Sequence, residues 1–214
     1  VSMNVIYSNI IHDNLKVLMA YYSRPFISRA DRLSKNYSAD AIYNTISAII
    51  GPFQAVTQVN LYSNNGTAIG SGFYQYNKPL SVSNKTWYES TLEKMGDKYI
   101  TTPEFITDIP SISSNLKGHK FISLCRVYFD KAYESKGIVE VVQDCETIFS
   151  FVNNIATQNK QLEIYILNDR DEVMYPYEYR DNNILYYNKL IKDIPLNTLN
   201  SHIVNHPTQN AKQM

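Results

Sequence analysis

Arg126 stands where a charge is least expected. It lies inside "HKFISLCRVYFD", residues His119 to Asp130, a run dominated by apolar and aromatic side chains, and a charge in such a run is rare unless it is paired. Strand alternation puts Tyr128 on the same side as Arg126. One reading is therefore an anion contact flanked by a stacking ring, and the other is a structural ion pair or an edge position. Asp130 ends the run, where it can meet a ligand or hydrogen-bond the backbone of its own turn. A second group sits in "SVSNKTWYESTLEKMG", where Lys85 precedes Trp87 and Tyr88. An ammonium beside two rings can line a pocket, and the plain alternative is a solvated lysine next to aromatic core packing.

No other chemistry assembles. His12, His119, His202 and His206 are scattered, and His202 with His206 lies in a tail holding Pro207, with no neighbouring acid or cysteine at a metal-ligand spacing. There is no G-x-S-x-G, no phosphate-binding glycine loop and no H-E-x-x-H. Asp169 and Asp171 fall in a turn lacking the calcium-loop pattern. The expectation is a non-enzymatic chain with no cofactor and no metal. Twenty basic residues balance 20 acidic ones across 214 residues, so no long-range field favours nucleic acid. Cys125 and Cys145 can pair in an oxidising compartment, but their strand and helix-start settings favour two separate buried thiols. No run reaches the roughly 18–20 apolar residues of a membrane-spanning helix, so the chain reads as soluble; an ectodomain cut from a membrane protein would look the same.

The elements that must hold these residues can be read from periodicity. Met3, Tyr7, Ile11, Leu15, Leu18 and Tyr22 recur at helical spacing and predict one long N-terminal helix that ends near Arg24, before Pro25. Its stripe permits a parallel dimer. A second helix, capped by Ser38 or Asp40, buries Ile42, Ile46, Ile49 and Ile50 and stops at Gly51-Pro52. Ala55–Tyr62 and Thr67–Tyr74 form a hairpin around Asn64-Asn65-Gly66. Ser83 or Asn84 then caps a short helix carrying Trp87 and Tyr88, ended by Gly96. The irregular stretch to Gly118, with Pro103 and Pro110, is long enough to be a lid or pocket wall.

His119–Asp130 and Gly137–Gln143 follow as two sheet strands, and Asp144 caps a helix with Ile148, Phe149, Val152 and Ile155 on its buried face. Leu162–Leu167 and Glu172–Tyr175 read as a second hairpin, followed by a helix through Ile184, Leu185, Leu190 and Ile191 and a polar tail. Val59, Leu61 and Ile69 match Ile164, Ile166 and Met174 at an offset of about 105 positions, the size of one small domain. Flanking helices recur too, so the pattern suggests one complete module and a second left unfinished.

The long N-terminal helix, "LYSNNGTAIGSG", "NKTWYESTLEKMG" and "ISLCRVYFDKAYESKGIVEVVQDCETIFSFV" together resemble the extracytoplasmic double Cache, PAS-like sensor domains of bacterial membrane receptors. They are most like those of sensor histidine kinases of low-GC Gram-positive bacteria. The resemblance spans nearly the whole chain, with motifs of moderate specificity. It implies an α/β (α+β, PAS-like) fold: a long helix and connector over 1–37, a membrane-distal ligand-binding module over 38–157 with an antiparallel sheet, and a truncated membrane-proximal module over 158–214. The implied function is extracellular sensing of a small molecule, relayed through the long helix of a membrane-anchored parent, with a homodimer through that helix. Alternatives are a chemoreceptor sensor domain or a PAS-like interaction module with no ligand.

In amino-acid-binding members of the family, an Arg precedes a Trp-Tyr pair by two positions, a Tyr-x-Asp follows, and a later strand ends in Asp. The resemblance thus places Lys85, Trp87, Tyr88, Tyr99, Thr101 and Asp130 at the ligand, and the strand reading of Arg126 and Tyr128 adds them as further candidates. Lys85 lacks the two-pronged fork of Arg, and Thr101 offers an ammonium group no charge. Both departures count against an amino-acid ligand.

Overall fold

Apolar residues at three- and four-residue spacing do make the N-terminus helical, but in two pieces. In the computed structural model, which describes residues 1–105, 118–130, 133–159, 164–170 and 172–177, α1 spans Ser2–Ile6 and α2 spans Asn9–Tyr22. Ser8 divides them: its backbone is extended, and its hydroxyl oxygen accepts from the Ile11 amide at 3.3 Å. A serine that can cap a new helix competes with continuing the old one. The single long helix expected from periodicity is thereby corrected, although Ile11, Leu15 and Leu18 form the buried face of α2.

The second helix also differs from expectation. α3 runs Arg29–Ile50, and its cap is Ser28, not Ser38 or Asp40; Ser28 and Asp31 bond reciprocally, side chain to backbone, in a capping box. That pair satisfies two of the free amide donors of the first turn, so the helix begins well before its isoleucine face starts at Ile42. Ser38 is buried within it. Ile42 and Ile46 are buried, Ile49 and Ile50 half-buried, and Gly51 follows the last turn. The expected connector up to residue 37 is therefore partly helix.

Six antiparallel strands form one sheet in the order β3-β2-β1-β6-β5-β4. They are β1 Val56–Ser63, β2 Thr67–Gly72, β3 Tyr76–Pro79, β4 Tyr99–Ile100, β5 Phe121–Phe129 and β6 Ser135–Asp144. The predicted first hairpin is β1–β2, turned where Gly66 has φ 81°, a conformation costly for residues with a side chain. The short edge strands β3 and β4 escaped periodicity, being too brief to show alternation. Between β3 and β4 lies α4, Tyr88–Glu93; it starts at Trp87 with no side-chain cap, so neither Ser83 nor Asn84 plays that part.

The two faces of the sheet do different work. Val59, Leu61, Ile69, Val139 and Val141 meet Ile11, Leu15, Leu18, Ile42 and Ile46 in one apolar core, each such buried side chain contributing about 1.5–3 kcal/mol. The opposite face carries a smaller cluster of Tyr62, Ala68, Trp87, Cys125, Val127 and Ile138. Asp144 caps the next helix as expected, but Phe149 divides it into α5, Cys145–Ile148, and α6, Ser150–Gln158. The second hairpin is a small two-stranded sheet, β7 Ile166–Leu167 with β8 Val173–Tyr175. Cys125 and Cys145 are both buried and unpaired, burial pushing the Cys125 thiol well up and the Cys145 thiol to about 12. The helix expected through Ile184 to Ile191 and the histidines at 202 and 206 lie outside the described residues. No helix among the described residues is long and apolar enough to cross a membrane. The protein is thus a mixed α/β chain, with N-terminal helices packed on one face of an antiparallel sheet.

Candidate functional site

The sheet face turned away from α2 and α3 is polar at its centre. Register puts Asn60 of β1 opposite Gly70 of β2 on one side and Glu140 of β6 on the other, with Cys125 of β5 beyond. Alternation then brings Gln58, Asn60 and Tyr62 to the same face as Glu140 and Ser123. Glu140 is 6% exposed. Asn60 Nδ2 and the Tyr62 hydroxyl donate to its Oε2 at 2.8 and 2.7 Å, and the Ser123 hydroxyl donates to Oε1 at 2.7 Å. None of the ion pairs among the described residues includes Glu140.

Further polar groups extend the cluster toward the sheet edge. Gln58 Nε2 donates to Asn60 Oδ1 at 3.1 Å and to the Tyr74 carbonyl at 3.1 Å, and the Tyr76 hydroxyl donates to Asn60 Oδ1 at 3.2 Å. Gly70 makes this convergence feasible, since a Cβ there would collide with the Tyr76 ring, Asn60 Oδ1 and Gln58 Nε2. Burial pushes the Tyr62 hydroxyl well above its ordinary value, and the Glu140 charge pushes it further; it is held protonated, as a donor. Tyr76 is raised as well, first by burial. Glu104, backbone-bonded to Phe121, has its carboxyl raised by burial and then by Glu140, while Lys85 opposes the shift.

Aromatic side chains flank this polar centre. Trp87 is buried against the Tyr62 ring at 5.9 Å, centroid to centroid, and Phe73 meets Phe121 edge-on at 6.5 Å. Two surface hollows of about 320 and 380 Å³ lie elsewhere, one between α2 and α3 by Tyr21 and Arg24, the other by Phe53, Leu124 and Val141.

The residues singled out from sequence divide between the two faces. Trp87, Tyr88 and Tyr99 pack in one cluster on the polar face, and Lys85 is half-buried near Glu104. Thr101 lies one alternation beyond Tyr99, its hydroxyl oxygen accepting from the Ser123 amide at 2.9 Å. Arg170 lies 4.5 Å above the Tyr99 ring. Arg126 and Tyr128 do share a side, but it is the helix side. Tyr128 belongs to the core with α2 and α3, edge-on to His12 at 5.6 Å, with no hydrogen-bond partner for its hydroxyl among the described residues. Arg126 Nη1 donates to the Gly96 carbonyl at 2.7 Å, in keeping with the structural alternative of its two readings. Asp130 is exposed in the β5–β6 turn, where it accepts from the Glu134 amide at 3.0 Å and pairs with Lys136 at 3.0 Å.

Sequence reasoning missed Glu140, Asn60, Gln58 and Ser123. The signal was present: a lone acid inside "GIVEVVQ" and polar residues at alternate positions of "TQVNLYS", the same surprise that drew attention to Arg126.

No protein-family model matches the chain, and no curated protein matches it. Among solved structures, it is similar to the ligand-binding domain of the Campylobacter jejuni chemoreceptor Tlp3 in complex with L-norvaline, at 15% identity and a TM-score of 0.46 over 83% of this chain and 68% of that one. It is similar too to the extracellular domain of a candidate histidine kinase, vpHK1S-Z8, at 12% identity and a TM-score of 0.49; 71% of this chain matches, spanning about half of that one, 51%. The ligand-binding domain of the Pseudomonas aeruginosa PAO1 amino acid chemoreceptor PctC in complex with GABA matches at 11% identity and a TM-score of 0.45, over 80% of this chain and 67% of that one.

Proposed function

We propose that this chain is the extracellular ligand-sensing domain of a membrane-anchored signal-transduction receptor, and that it binds a small molecule over Glu140. The observation that carries this reading is the buried carboxylate, held by three uncharged donors and joined to no cation among the described residues. A buried charge costs several kcal/mol unless it is compensated. A carboxylate offers about four lone-pair sites, and the described residues fill three of them, which among those residues leaves one acceptor site on Oε1 for a ligand. The ligand class that fits is a small molecule bearing an N–H donor, best of all a cation. Trp87, Tyr88, Tyr99, Thr101 and Lys85 supply the surrounding wall in this reading, and the parts proposed for Arg126, Tyr128 and Asp130 become structural.

The parent is then a sensor histidine kinase or a chemoreceptor, with the sequence motifs favouring the kinase, and catalysis belongs to other domains. Residues 38–157 form the distal binding module and 158–214 the truncated proximal one. Met3, Tyr7 and Ile10 are exposed along α1 and the start of α2, which supports a homodimer through the N-terminal helices.

The test is equilibrium dialysis of the chain against a small-molecule extract of growth medium, with retained compounds read by mass spectrometry. Native chain retains at least one amine-bearing compound that Glu140→Gln does not. Retention that is absent, or equal in the two proteins, contradicts the proposal.

A further inference from the structure

We infer that β3 is the lever that couples the Glu140 cluster to the helix pair, so that a change at the site is felt in α2 and α3 through two adjacent residues, Tyr76 and Asn77. This rests on the proposed site in one respect only, that the Glu140 cluster is where the change begins.

β3 has four residues and one neighbour, β2, at the edge of the sheet. Consecutive residues of a strand point to opposite faces. Tyr76 points to the polar face, where its hydroxyl donates to Asn60 Oδ1 at 3.2 Å; Asn60 in turn donates to Glu140 at 2.8 Å. Asn77 points to the helices. The Tyr22 hydroxyl at the end of α2 lies 2.8 Å from both the Asn77 backbone oxygen and its Oδ1, and Asn77 Nδ2 donates to the Tyr43 hydroxyl of α3 at 2.8 Å. Two tyrosine hydroxyls from two helices thus converge on one residue, Tyr22 sharing its single proton between two Asn77 oxygens and Tyr43 accepting from the side-chain amide.

The peptide unit between Tyr76 and Asn77 is planar and stiff, so neither residue is displaced without the other. Gln58 anchors the segment entering β3 from the site side too, donating to the Tyr74 carbonyl and accepting from its amide at 3.4 Å. An edge strand bonded on one side shifts with less loss of backbone pairing than β1 or β6, each held on both sides. Among the described residues, the helices otherwise meet the sheet mainly through apolar contacts, with longer polar contacts from Ser47 to Ser71 at 3.5 Å and from Asn65 to the Met19 carbonyl and Ser23 at 3.4 and 3.5 Å; the shorter directional bonds at Asn77 transmit position best.

The experiment needs no ligand, because Glu140→Gln serves as the perturbation at the site. Hydrogen exchange is followed by mass spectrometry in the full chain for native, Glu140→Gln, Tyr76→Phe and the double variant, and then with Asn77→Ala replacing Tyr76→Phe. Glu140→Gln is expected to speed exchange at the end of α2 and across the middle of α3 by at least about threefold, with α6 unchanged as the internal control. In the Tyr76→Phe or Asn77→Ala background, the same substitution is expected to change helix exchange by less than about 1.5-fold, as a severed coupling requires. The same acceleration in both backgrounds overturns the inference, because coupling then runs elsewhere. So does acceleration shared by α6, which marks general destabilisation, or helices that do not respond while β1 and β6 do. A severed coupling without small-molecule retention would leave the lever standing and remove the ligand reading, so the two fail separately.

Discussion

Tyr62 touches both residues that matter most on the polar face, its ring 5.9 Å from Trp87 and its hydroxyl 2.7 Å from Glu140. Trp87 is 3% exposed, and truncating a buried tryptophan costs about 3–5 kcal/mol in lost burial and residual cavity. Trp87→Ala is accordingly predicted to lose about that much in urea unfolding, whereas Trp87→Phe loses less than half of it. Equal, small losses would place the indole outside the core. At this scale the sequence revealed unusual residues better than their positions. Arg126 and Tyr128 were correctly paired on one side of a strand, but which side faces the helices is set by the register of β1, β6 and β5, which a single strand does not encode. Glu140 sits among the apolar neighbours of "GIVEVVQ", and its partners come from β1 and β5, which its own segment does not encode.

Elements are governed by local competition, and caps decided it here. Ser8 and Ser28 start helices that periodicity alone misplaced, because a side-chain oxygen that satisfies a free amide outranks the distant onset of an apolar face. Asp144 was read correctly, since its cap coincides with the change from strand to helix. Burial alone would raise the Asp144 carboxyl, but hydrogen bonds from the Thr147 hydroxyl, His119 and the Thr147 amide outweigh it and hold the group below the usual range. A carboxyl lowered in the folded state adds stability that is fully present above its unfolded value of about 3.9 and is lost as pH falls through the folded value. Asn is an equally good cap, so Asp144→Asn isolates the charge. We expect it to lose about 0.5–1.5 kcal/mol at pH 7 and to flatten the acid limb of the stability curve below about pH 4. Denaturant unfolding from pH 2 to 7 measures both, and an unchanged acid limb would mean that other carboxylates carry it.

For the whole molecule, hydrophobic patterning marked the buried helix faces, Ile11, Leu15 and Leu18 in one and Ile42 and Ile46 in another, while their packing on one sheet face is seen only in the fold. It could not show that the opposite face holds a polar centre, because that depends on contacts between residues 78 and 80 positions apart, Tyr62 and Asn60 with Glu140. The proposal that this centre recognises a ligand rests on the buried Glu140 carboxylate. Its most direct test is the melting temperature of native chain and Glu140→Gln against a panel of small organic cations, neutral polar compounds and anions. A ligand present at about 100 times its Kd adds about 2.7 kcal/mol, which for a chain of this size is roughly 5–10 °C. A rise of that order is expected for at least one cationic or N–H-bearing compound, abolished in Glu140→Gln while the variant keeps a cooperative transition. Stabilisation by anions alone, or by any compound equally in both proteins, would contradict it.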